Sequence, residues 1–255
     1  MSQTVSVVGG SGRLGTLAVR ALAERGAVAA SISRRTGFDL QRSSMDDLTR
    51  ALAGVDVVVD CSEATDRKVT TFESSARSLA EAAVRAGVKH LVLVSIVGVD
   101  RPSLKSMSYY QGKLAQERAL TAGTVPVSIV RSTQWFGFAD QVYPSVRLAG
   151  GLWGLAPAMR MQPVSGEAVA ARLADAAFEP LPGQRLELAG PEVTSLADLI
   201  RRVWRARGQQ ARVAQVPIPG LKGFTDGALL PRDRPDHDRA VGGELVLAPP
   251  LVELR

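Results

Sequence analysis

An apolar run from Val5 to Val8 breaks into Gly9-Gly10-Ser11-Gly12-Arg13-Leu14-Gly15 and passes directly into a helical pattern. A strand, a glycine turn and a helix N-terminus in immediate succession leave few folds open. The order suits a pyrophosphate, which must approach the unpaired N–H groups of a helix start more closely than a Cβ allows. Gly10, Gly12 and Gly15 satisfy G-x-G-x-x-G, while Gly9, Gly12 and Gly15 satisfy the wider G-x-x-G-x-x-G, and both registers stay open. Leu14, Leu17, Ala18, Ala21 and Leu22 share one face of the following helix, which Gly26 closes.

The rest of the chain repeats the alternation. Apolar strands are expected near 4–8, 28–33, 55–60, 90–95, 126–131, 185–189 and 212–216, and helices near 13–25, 45–53, 71–86, 109–122, 166–178 and 195–207. Strands that alternate with helices predict an α/β fold, a doubly wound, Rossmann-like parallel sheet with ligand loops at the strand carboxyl ends. A chain of 255 residues with 45% hydrophobic content suits one such domain over 1–255. The glycine-, proline- and arginine-rich stretches 137–165 and 220–255 read as a substrate cover and a loose tail, so substrate-covering segments are expected at about 135–165 and 190–255, in a small C-terminal substrate-binding region. Ser195 and Asp198 read as an N-capped helix start.

Composition excludes several classes. No stretch approaches a membrane span or a signal peptide, which predicts a cytoplasmic protein. The single cysteine, Cys61, precludes an internal disulfide, and two histidines without a cysteine cluster predict no metal site. Asp236, His237 and Asp238 read as a solvated charge run. The net charge of +6 is spread along the chain without a basic stripe, so no nucleic-acid partner is expected, and Arg201, Arg202, Arg205 and Arg207 read as a solvated helix face. A homo-oligomer stays open.

The second strand ends at Ser33 and runs into Arg34-Arg35, where an NAD-selective site places an acidic residue for the ribose hydroxyls. Arginines there pair with a 2′-phosphate, and Arg13 is placed to join them, so the expected cofactor is NADP(H). Asp39, followed by Leu40, is placed to accept from the adenine amino group. Cys61 and Ser62, after the third strand, are small enough for ribose and pyrophosphate to lie across the strand end. Cys61 itself reads as a packed residue, not a nucleophile.

The strand Leu91–Val94 closes at Ser95, and fourteen residues on stands Tyr109, with Tyr110 beside it and Lys113 one helical turn below. Tyr-x-x-x-Lys lies on one helix face. An ammonium there favours the phenolate and lowers the tyrosine pKa, while a serine hydroxyl orients a substrate oxygen.

Taken in order, Val7 to Gly15, Val94-Ser95-Ile96-Val97-Gly98 and Tyr109-Tyr110-Gln111-Gly112-Lys113 resemble the atypical short-chain dehydrogenase/reductases, in their NmrA-like NAD(P)H-binding branch. Val130 to Phe136 and Gln162-Pro163-Val164 extend the likeness over about residues 4–178. The resemblance implies that Tyr109 protonates a carbonyl oxygen, Lys113 holds the nicotinamide ribose and tunes Tyr109, and Ser95 positions the carbonyl. Thr133 and Gln134 would border the nicotinamide and the substrate. The Asn-Ala-Gly type turn of many short-chain enzymes is replaced here by Cys61-Ser62-Glu63.

Gln134, Trp135, Phe136, Phe138, Tyr143, Trp153, Met159 and Met161 read as the lining of an apolar or aromatic substrate site. Arg131, Arg147 and Arg160 are the only candidate clamps for an acidic substrate. The leading expectation is an NADPH-dependent reductase of a carbonyl, enone or quinone-like small molecule. An NADP(H)-sensing binding protein without turnover and a non-redox dehydratase, isomerase or cyclase are the alternatives.

Overall fold

A computed structural model describes residues 2–146, 153–210, 212–218 and 222–232, with the backbone alone at 143–146 and 222. Six parallel strands form the central sheet: β1 (Thr4–Val8), β2 (Val28–Ile32), β3 (Val57–Asp60), β4 (His90–Ile96), β5 (Val127–Ser132) and, further along the chain, Arg185–Leu188. Helices α1 (Arg13–Glu24), α2 (Met45–Ala51), α3 (Val69–Ala86) and α4 (Ser108–Thr121) connect the first five.

Alternation along the strands divides the core into two layers. Val5, Val7, Val57, Val59, Val92, Val94 and Val130 face one way, onto Leu14, Ala18 and Leu22 of α1 and onto a later alanine-rich helix, Gly166–Phe178. Val8, Val58, Leu91, Leu93 and Ile129 face the other way, onto Leu48, Leu79, Ala83 and Leu120 of α2, α3 and α4. Strands covered on both faces carry continuous apolar runs, as β3 and β4 do. On α4, Gly112 lets the helix seat against the Phe72 ring of α3, where a Cβ would collide. That seating sets the height of Tyr109 and Lys113 over the sheet.

The spatial order is β2-β1-β3-β4-β5 and then Arg185–Leu188. Chain direction through the sheet therefore reverses beside β1, and the carboxyl ends of β1 and β3 flank the crevice where such sheets bind ligands.

The remainder holds more structure than its composition announces. The stretch expected as a substrate cover contains α5 (Phe138–Val146), β6 (Trp153–Pro157) and β7 (Arg160–Met161). After α6 (Gly166–Phe178), β8 (Arg185–Leu188) and the two-residue β9 (Thr194–Ser195) comes α7 (Leu196–Ala206), capped as expected by Ser195, whose Oγ accepts from Asp198 N at 3.0 Å. The strand expected at 212–216, β10 (Arg212–Val216), is a correction to the single sheet: it pairs in parallel with β6 as a separate ribbon. Leu196, Leu199, Ile200 and Val203 of α7 fill a third core with Met159, Met161 and Val213, which also takes in Leu104 and packs against Ile96, Met107 and Tyr110.

Part of the expected tail is equally ordered. The short helix α8 (Lys222–Thr225) leads into a turn that lies against Gly98, where a Cβ would strike the Ala228 carbonyl. Arg101 holds this turn through Nη1 to Gly227 O at 2.6 Å and Nη2 to Leu230 O at 2.7 Å. Asp236, His237 and Asp238 lie outside the described residues, and so does Arg147. No helix of the described residues is long and apolar enough to cross a membrane.

Candidate active site

The carboxyl ends of β1 to β5 open into a single cleft of about 890 Å³. Its floor begins at the glycine turn. Gly9 has φ +74°, and a Cβ there would stand 2.8 Å from the Cys61 carbonyl oxygen. At Gly15 a Cβ would overlap the Gly9 carbonyl, so only glycine lets α1 start this close to β1. Gly12 occupies the cap position of α1 and offers no side-chain cap. The first N–H groups of the helix therefore face the cleft without an intrahelical acceptor, and the helix dipole adds to their pull on an anion.

Ser11, Gly12, Arg13, Leu14 and Gly15 line the cleft with Gly9, whereas Gly10 turns away and backs onto Ser31. At the end of β2, a tight turn from Ser33, braced by Thr36 Oγ1 at 2.9 Å from Ser33 N, presents Arg34 and Arg35. Both line the cleft, both are exposed, and neither pairs with an acidic group among the described residues; the same holds for Arg13. Asp39 and Leu40 complete this wall. The Asp39 carboxylate accepts from Gln41 N at 3.0 Å, so one of its oxygens already serves its own turn.

Cys61 and Ser62 line the middle of the cleft. Burial and the neighbouring Asp60 push the Cys61 thiol well above its ordinary range, which keeps it protonated and inert at neutral pH.

The far end gathers Ser95, Tyr109, Tyr110, Lys113, Thr133, Gln134, Trp135 and Phe138. Lys113 is 2% exposed, and its Nζ has no hydrogen-bond partner; Ser95 Oγ and Gln134 Oε1 are buried and unpartnered too. Thr133 differs, since its hydroxyl donates to Gln162 O at 2.5 Å and fastens the loop after β5. Trp135 donates from Nε1 to Ser132 Oγ at 3.1 Å.

Tyr109 departs from expectation in one respect. Its hydroxyl donates to Glu63 Oε1 at 3.1 Å. Burial, reinforced by the charge and hydrogen bond of Glu63, drives the phenol far above its ordinary pKa, with the Arg67 guanidinium opposing weakly from 5.7 Å above the ring. The phenol is thus raised, not lowered as a lysine-tuned tyrosine would be. Tyr110, raised by burial, turns its ring edge to Phe224 at 6.1 Å between centroids.

Several expected residues stand elsewhere. Met161 is fully buried in the third core with Met159, and Trp153 is 53% exposed on β6 beneath the Arg212 guanidinium; neither reaches the cleft. Composition drew attention to both, but the ribbon and α7 absorb them. The Tyr143 side chain lies outside the described ones. Arg131 is no clamp, because its guanidinium is buried on Glu117 through Nε at 2.9 Å and Nη2 at 2.7 Å. Arg160, on β7, does not line the cleft. Of the expected solvated arginines, Arg202 pairs with Glu192, Arg201 with Asp198, and Arg207 with Asp140.

Sequence reasoning missed Glu63, Arg67 and Gln116, all of which line the cleft. Gln116 carried a usable signal, since it stands three residues after Lys113 on one helix face. Arg67, the described non-glycine residue with positive φ (53°), carried none.

The sequence model of an NAD(P)H-binding family matches residues 9–180. Among curated relatives, a (4-alkanoyl-5-oxo-2,5-dihydrofuran-3-yl)methyl phosphate reductase from Streptomyces griseus is 28% identical over 237 residues, covering 86% of this chain and 79% of that protein. The fold is similar to that of a Citrobacter triphenylmethane reductase, with a TM-score of 0.73 at 16% identity over 96% of each chain. It is also similar to an Escherichia coli NADPH-dependent quinone oxidoreductase in complex with NADPH, with a TM-score of 0.68 at 19% identity, covering 88% of this chain and 90% of that one.

Proposed function

Because the chain belongs to the NAD(P)H-binding family, and has the architecture of the atypical short-chain dehydrogenase/reductases, we propose that it is an NADPH-dependent reductase of a carbonyl, enone or quinone-like group in an apolar small molecule, with Tyr109 as proton donor. The observation that carries this reading is the company kept in one cleft. An uncapped helix start, three arginines without an acidic partner among the described residues, and a buried hydroxyl and ammonium without hydrogen-bond partners there all face the same space.

The residues present fit NADP(H). The turn from Gly9 to Gly15 and the N–H groups of α1 would hold the pyrophosphate, and Arg34, Arg35 and Arg13 the 2′-phosphate. Asp39 and Leu40 would flank the adenine, Cys61 and Ser62 the middle of the dinucleotide, and Lys113 and Thr133 the nicotinamide half. When bound, the reduced nicotinamide supplies a hydride.

The chain's own groups would do the rest. Ser95 Oγ, buried and unpartnered, is free to donate to a substrate oxygen. Tyr109, held protonated by burial and by Glu63, has a proton to give and is no base at neutral pH. Its hydroxyl must turn from Glu63 to the substrate to deliver it. Gln134, Trp135 and Phe138 supply an amide and two aromatic faces at the substrate end.

The relatives' names support the class. The Streptomyces protein is named for a dihydrofuranone carrying an alkanoyl group and a methyl phosphate, and the Escherichia coli enzyme for quinones; both are conjugated carbonyl compounds, and the first of them is anionic. The test is NADPH oxidation over a panel of quinones, enones and aromatic ketones. Turnover of a conjugated member by the native protein and its loss in Tyr109→Phe are expected. NADPH bound but never consumed across the panel would sink the reductase reading, and full activity in Tyr109→Phe would sink the tyrosine's role.

A further inference from the structure

One turn beyond Lys113, α4 directs a second buried polar side chain at the cleft. Gln116 is 2% exposed and lines the cavity. Its Nε2 donates to Asp60 Oδ2 at 2.9 Å, and its Oε1 is left buried without a partner.

The direction of that amide is enforced. Asp60 ends β3, and its Oδ1 accepts from Ser62 N at 2.8 Å, so both carboxylate oxygens are engaged as acceptors. A carboxylate offers no donor. Gln116 must therefore give Asp60 its NH2 end and keep its carbonyl end for something else.

Lys113 Nζ, on the same helix face, has the complementary deficiency. An ammonium only donates and an amide carbonyl only accepts, so the two together call for groups that do both. Hydroxyls do, and a ribose carries two side by side. Burying each atom unpaired is unfavourable, which gives a diol arriving there a gain at both.

We propose that Gln116, oriented by Asp60, accepts a hydrogen bond from a ribose hydroxyl in the nicotinamide half of the cofactor, with Lys113 donating to the same diol. The inference rests on the reading of the cleft as an NADP(H) site with its nicotinamide ribose at Lys113. Gln116 is then a binding residue, and Asp60 a positioning residue that acts through it.

The test compares two ligands by titration calorimetry: NADPH, and adenosine 2′,5′-bisphosphate, which has the adenine half and no nicotinamide ribose. Gln116→Met is expected to weaken NADPH by roughly five- to tenfold, the loss of about one hydrogen bond, and to leave the bisphosphate unchanged. Asp60→Asn is the sharper variant. The asparagine must keep its oxygen on Ser62 N, so its NH2 faces Gln116, whose amide then has to reverse and present NH2 to the cleft. The same selective loss of NADPH is expected although Gln116 is intact.

Equal weakening of both ligands would make the pair structural and overturn the inference. Unchanged NADPH binding in both variants would overturn it as well, because a water would then be serving Oε1. Should Gln116→Met fail to fold, Asp60→Asn carries the test alone. A native protein that binds no NADPH fails the reading of the cleft and the inference together, whereas native binding with flat variants fails the inference only.

Discussion

The two ends of the central sheet differ in where their unpartnered polar groups face: at the carboxyl ends four surround one cleft, and at the amino ends those described do not line it. At the amino ends of the strands, tight turns with glycines at positive φ, Gly26, Gly54, Gly87 and Gly183, close the surface. Several polar groups there find partners, the half-exposed Asp56 accepting from Thr4 N at 2.9 Å and from Lys89 Nζ at 2.7 Å and Ser128 Oγ from Leu181 N at 2.9 Å, while His90 and Gln3 Oε1 are buried without one. At the carboxyl ends, Ser95 Oγ, Lys113 Nζ, Gln116 Oε1 and Gln134 Oε1 are buried without any. An unmade hydrogen bond of this kind costs about 1–3 kcal/mol, so four around one cleft favour a ligand that pairs them. Unpartnered groups that converge on one cleft mark the site, and the scattered ones at the amino ends do not.

The strongest way to break this contrast is at Tyr109, whose hydroxyl alone among the groups of the proposed reaction already has a protein partner, Glu63. Tyr109→Phe removes the proton donor and leaves the cradle intact. A loss of roughly a hundredfold or more in kcat is expected, as for other general acids, with NADPH affinity nearly unchanged by titration. A loss confined to affinity would move Tyr109 into the binding half of the site.

Lys113→Met sharpens the contrast by separating binding from folding. Removing a buried, unpaired ammonium is expected to weaken NADPH by roughly tenfold or more, as for a lost charge-assisted hydrogen bond. The same change is expected to raise the thermal midpoint of the free protein, because no hydrogen-bond partner is stranded and the methionine fills the space against the Phe72 ring that Nζ now faces at 5.8 Å. A lowered midpoint would show that Lys113 serves the fold like a residue of the opposite end.

At the exposed rim the effects are smaller. Arg34 and Arg35 stand in solvent, where screening weakens their pull on a phosphate. Replacing either with alanine is expected to weaken NADPH by roughly tenfold and NADH hardly at all, and to flatten the salt dependence of NADPH binding. Equal effects on both dinucleotides would place the pair away from the 2′-phosphate.

How much of this was legible beforehand follows from what each feature depends on. The strands and helices from 4 to 132 were readable because buried parallel strands need unbroken apolar runs and their helices need amphipathic faces, and Val57–Val59 and Leu79–Ala83 supply both. The glycine turn was readable because steric demand admits one residue type. Trp153 and Met161 misled because an aromatic or thioether side chain looks alike whether it lines a cleft or fills a core. The 138–161 region was opaque for a related reason: β6 pairs with β10, nearly sixty residues away, and no local pattern announces a partner at that distance. Glu63 was visible only as an interruption of an expected turn. Its role as the acceptor for Tyr109 depends on α3 and α4 packing through Gly112 and Phe72.

The smallest effect tests the rule from the other side. His90, at the amino end of β4, is 3% exposed with both ring nitrogens unpartnered, and it does not line the cleft. Burial lowers its pKa below the ordinary histidine value. The unfolded chain therefore takes up a proton near pH 6.5 while the folded chain resists it. Below that pH the unfolded state binds more protons, so stability is fully present above it and falls as the pH drops toward the folded pKa. The thermal midpoint of the native protein should decline between pH 7 and 5 more steeply than that of His90→Leu, which has nothing to titrate at this position. NADPH should leave the difference between the two slopes unchanged, because no ligand reaches the closed end of the sheet. A difference that shrinks when NADPH is added would tie His90 to the cleft and erase the distinction between the two ends.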